Sequence, residues 1–254
     1  MKISVITVVY NRASTIEEAV RSVQSQDHPD VEHVLVDGAS TDCTLDILES
    51  LARPADILVS EPDSGIYNAI QKGIGLATGD VIGLMHSDDS FADDRVLSRV
   101  AEAFETPGAN AVYGDLDYVD QDHRERIIRH WRAGRFTAGK LRRGWMPPHP
   151  TLYLKREVID RLGGYDESYS IAADYDAILR YFSDADLLPV YIPEVLVKMR
   201  TGGASNQNLR KIIRKSREDY RALRANNLGG VTTVIWKNLR KAHQLRTAIA
   251  RVTR

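Results

Sequence analysis

The chain is predicted to be an α/β protein with a mainly parallel central sheet flanked by helices. Short β-branched runs alternate with amphipathic helical stretches through the first 115 residues, and turn-forming residues separate them. The apolar run Val81-Ile82-Gly83-Leu84-Met85 has the length of a buried strand and empties into Asp88 and Asp89. Paired carboxylates beyond the C-terminal end of a parallel strand suit a hard cation such as Mg²⁺ or Mn²⁺, and open α/β sheets bind ligands at that edge.

In chain order, strands are expected near Ile3 to Tyr10, His33 to Asp37, Ile57 to Ser60, Val81 to Met85 and Ala111 to Tyr113, with right-handed crossover helices between them. Turns are marked by Asp37-Gly38, by Glu61-Pro62-Asp63-Ser64-Gly65 and by Thr78-Gly79-Asp80. Asp93 and Asp94 read as the N-terminal cap of a helix carrying Val96, Val100 and Phe104. Tyr118-Val119 and Ile127-Ile128 flank the turn-like Asp120-Gln121-Asp122 and predict a hairpin. Trp145 to Pro150 is too proline-rich for a helix or central strand and reads as a shaped loop. The polar clusters Asn11-Arg12, Asp37 and Asp88-Asp89 each follow a strand, so parallel strands would bring them to one side of the sheet.

Composition is that of a globular protein. No run of 18 apolar residues occurs, and Met1-Lys2 leads straight into a strand, an expectation of no signal peptide. A single cysteine, Cys43, excludes an internal disulfide and a cysteine-rich zinc site, which fits a cytoplasmic setting. The net charge of −1 conceals an asymmetry: residues 206–254 hold 13 Lys/Arg against Glu218 and Asp219, so residues 1–205 are strongly acidic. Two amphipathic segments fill this basic stretch. One runs from Asn206 to Asn226 with Leu209, Ile212, Ile213, Tyr220 and Leu223 on one side, and the other carries Ile235, Leu239, Ala242, Leu245, Ile249 and Val252. The expected division is a catalytic domain over 1–205 and a helical tail over 206–254.

The runs VITVVYNR from Val5, VDGASTDCTLDIL from Val36, SEPDSGIYNAIQKGIGLATGD from Ser60, HSDD from His86 and GGYDESYSIAADYDAILR from Gly163 resemble, in order and spacing, the inverting family-two glycosyltransferases of the GT-A fold. Members that build bacterial exopolysaccharide or lipid-linked glycans are the most similar in pattern. The resemblance implies transfer of a sugar from a nucleotide-diphosphate donor, UDP- or GDP-linked, with Mg²⁺ or Mn²⁺. It implies Asp89 as metal ligand and Asp88 at the ribose or a metal-bound water. Thr7, Tyr10, Asn11, Arg12, Asp37 and Asp63 are expected around the nucleotide, with Lys72 near the diphosphate and Asp174 as general base; His149, in its proline-locked loop, is grouped with the donor site, where a neutral imidazole suits the diphosphate, the metal or the acceptor. Asn11 and Asp37 also suit capping and turn formation, Asp174 also suits a helix cap, and Asp166 also suits a turn. Gly38 and Ile70 depart from the usual pattern, where a second acid and an arginine stand, and Ala173 replaces a frequent glutamate.

Competing activities are a metal-dependent nucleotidyltransferase or sugar-nucleotide hydrolase, and a catalytically inactive glycan-binding relative. Nucleic acid is not expected, since no reader motif accompanies the basic tail. That tail is expected to hold the protein on the inner face of an anionic plasma membrane, beside a glycan or polyprenyl-diphosphate-linked acceptor. Packing onto the catalytic domain, or a homodimer, is the alternative use of the same helices.

Overall fold

The computed structural model describes residues 1–201 and 209–237. In chain order the strands are β1 (Ile3–Val9), β2 (Val31–Asp37), β3 (Ile57–Ser60), β4 (Val81–Leu84), β5 (Ser90–Phe91), β6 (Ala111–Val119), β7 (Ile127–Trp131), β8 (Tyr153–Lys155) and β9 (Pro189–Arg200). The helices are α1 (Ile16–Gln24), α2 (Thr44–Leu51), α3 (Ile66–Leu76), α4 (Val96–Phe104), α5 (Ala138–Leu141), α6 (Arg156–Leu162), α7 (Ala173–Phe182) and α8 (Leu209–Ala225), and residues 231–237 are also helical.

One mixed sheet has the order β3-β2-β1-β4-β8-β6-β9-β5, with β7 pairing β6. The first half is parallel: β1 pairs β2 and β4, and β2 pairs β3. β8 then runs antiparallel between β4 and β6, while β6 and β9 are parallel. Gly83 explains how β8 reaches β4: a Cβ there would lie 2.2 Å from the ring of the fully buried Tyr153. Successive side chains of β1 enter opposite cores. Ile6 and Val8 join α3, α6 and α7 on one face, whereas Ile3 and Val5 join α1 and α4 on the other.

The expected strands and the hairpin are present. β8 and the twelve-residue β9 lay outside the sequence expectation; β9 carries Pro189 and Pro193 and shifts register against β6, features that mask a strand in sequence. The core does not stop at residue 205, because Ala222, Leu223 and Val234 pack in the same cluster as α7. The stripe expected to bury α8 points elsewhere: Ile212, Ile213 and Tyr220 are 52%, 48% and 41% exposed. Gly202 to Ser205 and everything from Leu239 onward lie outside the described residues.

Candidate active site

The parallel strands β1 to β4 deliver their following loops to one edge of the sheet, as their shared direction requires. Asn11 sits at φ 51° and its Oδ1 accepts the Thr41 N–H at 2.8 Å, tying the β1 loop to the β2 loop. The Arg12 N–H donates to Thr44 Oγ1 at 2.8 Å, leaving the guanidinium exposed. Neither residue forms a side-chain cap for α1. Tyr10 is 57% exposed and stands beside Gly38 and Asp63. A Cβ on residue 38 would fall 2.4 Å from Asp63 Oδ2, so the missing side chain at Gly38 makes room for the Asp63 carboxylate.

Three expected donor contacts are spoken for by the protein. Thr7 is fully buried and its Oγ1 lies 2.9 Å from His33 Nε2, so it is a wall rather than a contact. Asp37 is also fully buried: it accepts from Ser40 N–H at 3.0 Å, from the Ser40 hydroxyl and from the Ser60 hydroxyl at 2.6 Å, which is the turn-forming use of that carboxylate. Lys72 bonds the Pro62 carbonyl at 2.8 Å and Glu61 at 2.7 Å, pinning the loop that holds Asp63.

Beyond β4, Asp89 is 2% exposed. Its Oδ1 accepts the Arg200 N–H at 3.2 Å, and its buried Oδ2 has no hydrogen-bond partner among the described residues. Burial, with Asp88 adding to it, pushes the Asp89 carboxyl well above its ordinary range. A buried unpaired carboxylate oxygen is the chemistry that a hard cation satisfies. No cluster of three or more His, Cys, Asp or Glu gathers among the described residues. A cation held here would therefore take its remaining ligands from substrate phosphates and water, as Mg²⁺ sites commonly do.

Asp174 lies in the first turn of α7, whose N-cap is Ala172; no side-chain capping bond is made, so Asp174 is not spent as a cap. Its Oδ1 is buried without a hydrogen-bond partner among the described residues, and its Oδ2 lies 3.5 Å from His149 Nδ1. Burial alone would raise Asp174, but His149, Lys215, Lys237 and the Tyr175 N–H outweigh it and hold the carboxyl below its usual range. His149 was expected at the donor. It stands between Asp174 and His86, its Nε2 2.7 Å from His86 Nε2, in the loop before β8. Burial raises the Tyr118 phenol against the opposing Arg129, and the contacts His86–His149 at 2.7 Å and His149–Asp174 at 3.5 Å bring the loop of Asp88 and Asp89 towards Asp174. Asp176 faces elsewhere, bonding Asn226 at 3.0 Å and Arg180 at 3.4 Å, and Asp166 accepts the Ser168 N–H in a turn.

The basic segment contributes residues that sequence reasoning did not assign. Glu218 on α8 accepts the N–H groups of Ser170, Ile171 and Ala172 at 3.3, 2.8 and 3.0 Å, holding the entry to α7. Lys237 forms an ion pair with Asp219 at 2.9 Å and lies 3.1 Å over the Tyr175 ring. The one sequence signal was that Glu218 and Asp219 are the two acids in an otherwise basic stretch. His86 stood within the HSDD run without a role.

A mixed sheet whose first half is parallel, curled between helices on both faces, is the GT-A type of glycosyltransferase fold. The chain belongs to glycosyl transferase family 2, whose sequence profile matches residues 4–161. It is 32% identical over 208 residues to the PGL/p-HBAD biosynthesis glycosyltransferase of Mycobacterium bovis, covering 80% of this chain and 78% of that one. Residues 1-349 of S. aureus TarS in complex with UDP-GlcNAc superpose with a TM-score of 0.69 at 18% identity, covering 89% of this chain and 65% of that one. Under two thirds of that TarS fragment thus has a counterpart here. Mannosyltransferase PcManGT from Pyrobaculum calidifontis in complex with GDP-Man and Mn²⁺ superposes with a TM-score of 0.67 at 21% identity, covering 98% of this chain and 73% of that one.

Proposed function

We propose that the protein moves a sugar from a UDP- or GDP-linked donor to a hydroxyl of a glycan or lipid-linked acceptor, in one displacement with inversion at the anomeric carbon. Asp174 is the general base in this reading, and Asp89 is the protein ligand for Mg²⁺ or Mn²⁺. The observation that carries it is the pair of buried carboxylates, linked through His86 and His149, each with an oxygen that has no hydrogen-bond partner among the described residues. TarS was captured with UDP-GlcNAc and PcManGT with GDP-Man and Mn²⁺, which supports a nucleotide-sugar donor and a divalent cation and admits either base.

The acceptor O–H would point at Asp174 Oδ1, and its proton would pass there as the oxygen attacks the anomeric carbon and the bond to the diphosphate breaks. A bound divalent cation would offset the charge growing on that diphosphate. Tyr10, Gly38 and Asp63 supply an open floor for the nucleotide base, and Arg12 remains available to the phosphates. The exposed apolar and basic residues of α8 and 231–237 support an acceptor presented at an anionic membrane surface.

A donor screen over UDP- and GDP-sugars with Mg²⁺ or Mn²⁺, read by nucleotide release with and without lipid-linked acceptors, tests the reading. Asp174→Asn should keep donor affinity within a few-fold while turnover falls roughly 10²-fold or more, the usual scale for a lost general base. Asp89→Ala should abolish the metal-supported part of donor binding. Normal turnover in Asp174→Asn would remove the base assignment, and equal nucleotide release without any acceptor would favour a hydrolase.

A further inference from the structure

The proposed proton transfer uses neither His86 nor His149, yet the two rings connect the Asp88-Asp89 loop to Asp174. Their Nε2 atoms are 2.7 Å apart, and the rings meet edge-on with centroids 4.9 Å apart. Two imidazole nitrogens at that distance need one proton between them, because two lone pairs or two N–H groups would repel. The other nitrogen of His149, Nδ1, faces Asp174 Oδ2 at 3.5 Å. An ionised carboxylate only accepts, so Nδ1 must carry a proton. Burial, outweighing the Asp174 carboxylate, lowers His149 to about 4 and keeps the ring neutral. A neutral ring protonated on Nδ1 has a bare Nε2, and the shared proton therefore belongs to His86.

We propose that His86 and His149 are a positioning relay for the base: His86 Nε2–H holds His149 as its Nδ1–H tautomer, His149 holds Asp174 Oδ2, and Oδ1 is thereby presented to the acceptor hydroxyl. This rests on the reading of Asp174 as general base. The 3.5 Å approach is that of a resting site, since catalytic hydrogen bonds commonly shorten once substrate is bound. His149 acts on the acceptor side of the reaction, and His86 acts one residue further back. Neither is required to touch the donor.

The test exploits the different reach of two amides. Asparagine places its N–H near the position of imidazole Nδ1, and glutamine places it near Nε2. His149→Asn should therefore retain at least about tenfold more turnover than His149→Gln, and His86→Gln at least about tenfold more than His86→Asn. A base displaced by about 1 Å costs on the order of 10²-fold, so the poorer member of each pair should approach that loss with donor KM unchanged. Asp174→Asn is assayed alongside, with melting curves for every variant. If Asp174→Asn is inactive and the histidine pairs show no such ordering, or both His149 variants raise donor KM instead, the relay is wrong while the base stands. If Asp174→Asn turns over normally, the base reading itself has failed. The ¹⁵N shifts of the two rings in the unaltered protein need no variant to fold: they should report His149 protonated on Nδ1 and His86 on Nε2. The opposite tautomers would overturn the relay.

Discussion

Ionising Asp89 places a negative charge where the side chain is 2% exposed, beside the second carboxylate of Asp88. An acid whose pKa is raised by folding stabilises the native state while protonated; that contribution is whole below the unfolded value near 4 and is lost as pH rises through the folded value. In chelator, the melting temperature should therefore fall as pH climbs from mildly acidic to neutral. Asp89→Asn keeps an acceptor for the Arg200 N–H and removes the charge, so at neutral pH it should melt higher than the unaltered protein, roughly 2–4 °C for each kcal/mol relieved. Mn²⁺ should raise the melting point of the unaltered protein and not of the variant. A variant that melts lower in chelator would contradict the buried-charge account. Asp174 is the opposite case, buried but held low with the help of the Lys215 and Lys237 ammonium groups. Lys215→Gln should raise the carboxyl pKa, protonating the base at higher pH, and the acidic limb of the turnover profile should move up in pH. An unmoved limb would mean that Lys215 has no hold on the base.

At the scale of elements, α7 begins without a side-chain cap of its own, and the N–H groups around its start are taken by a carboxylate from another helix. Glu218 does there what a local cap would do and also places negative charge at the positive end of α7. Because Asp174 lies in that first turn, the same bonds set the position of the proposed base. Glu218→Ala leaves three N–H groups to find other partners, a loss of about 1–3 kcal/mol for a buried unsatisfied group. It should lower both the urea midpoint and turnover while donor affinity holds, and Glu218→Gln should fall between. Full turnover in a destabilised Glu218→Ala would separate α8 from catalysis.

At the scale of the whole molecule, both acids of the basic segment face inward: Glu218 onto residues 170–172 and the 1%-exposed Asp219 onto Lys237. Arg214, Arg217 and Arg224 are exposed, while Arg221 stacks over Tyr169 and bonds Ser168, and Ile235 and Trp236 are 51% and 59% exposed on the following helical residues. Among the described residues no helix is long and apolar enough to cross a membrane. An exposed face of this composition binds anionic headgroups through apolar insertion and charge together, each surface-proximal basic residue adding about 1 kcal/mol. Full-length protein should float with anionic vesicles at low salt, and Ile235→Glu with Trp236→Glu should release it without altering the melting temperature. Indifference to lipid charge would sink the membrane proposal and leave the catalytic one intact.

Apolar and β-branched runs were enough to place the parallel strands β1 to β4 and the β6–β7 hairpin, because a strand buried on both faces is predominantly apolar and a turn needs particular residues. The resemblance of the five motifs to the family singled out Asp89 and Asp174 as candidates, and their places after a strand and at a helix start follow from local chain geometry. Tertiary structure decided what those side chains meet. The His86–His149 contact spans 63 residues and the Glu218–Ala172 bond spans 46, distances along the chain over which no local rule constrains pairing. Thr7 and Asp37 show the same limit from the other side: their place at strand ends was legible, but whether a polar atom at that edge is open to a ligand or closed by His33, Ser40 or Ser60 depends on how the neighbouring strands and loops pack around it.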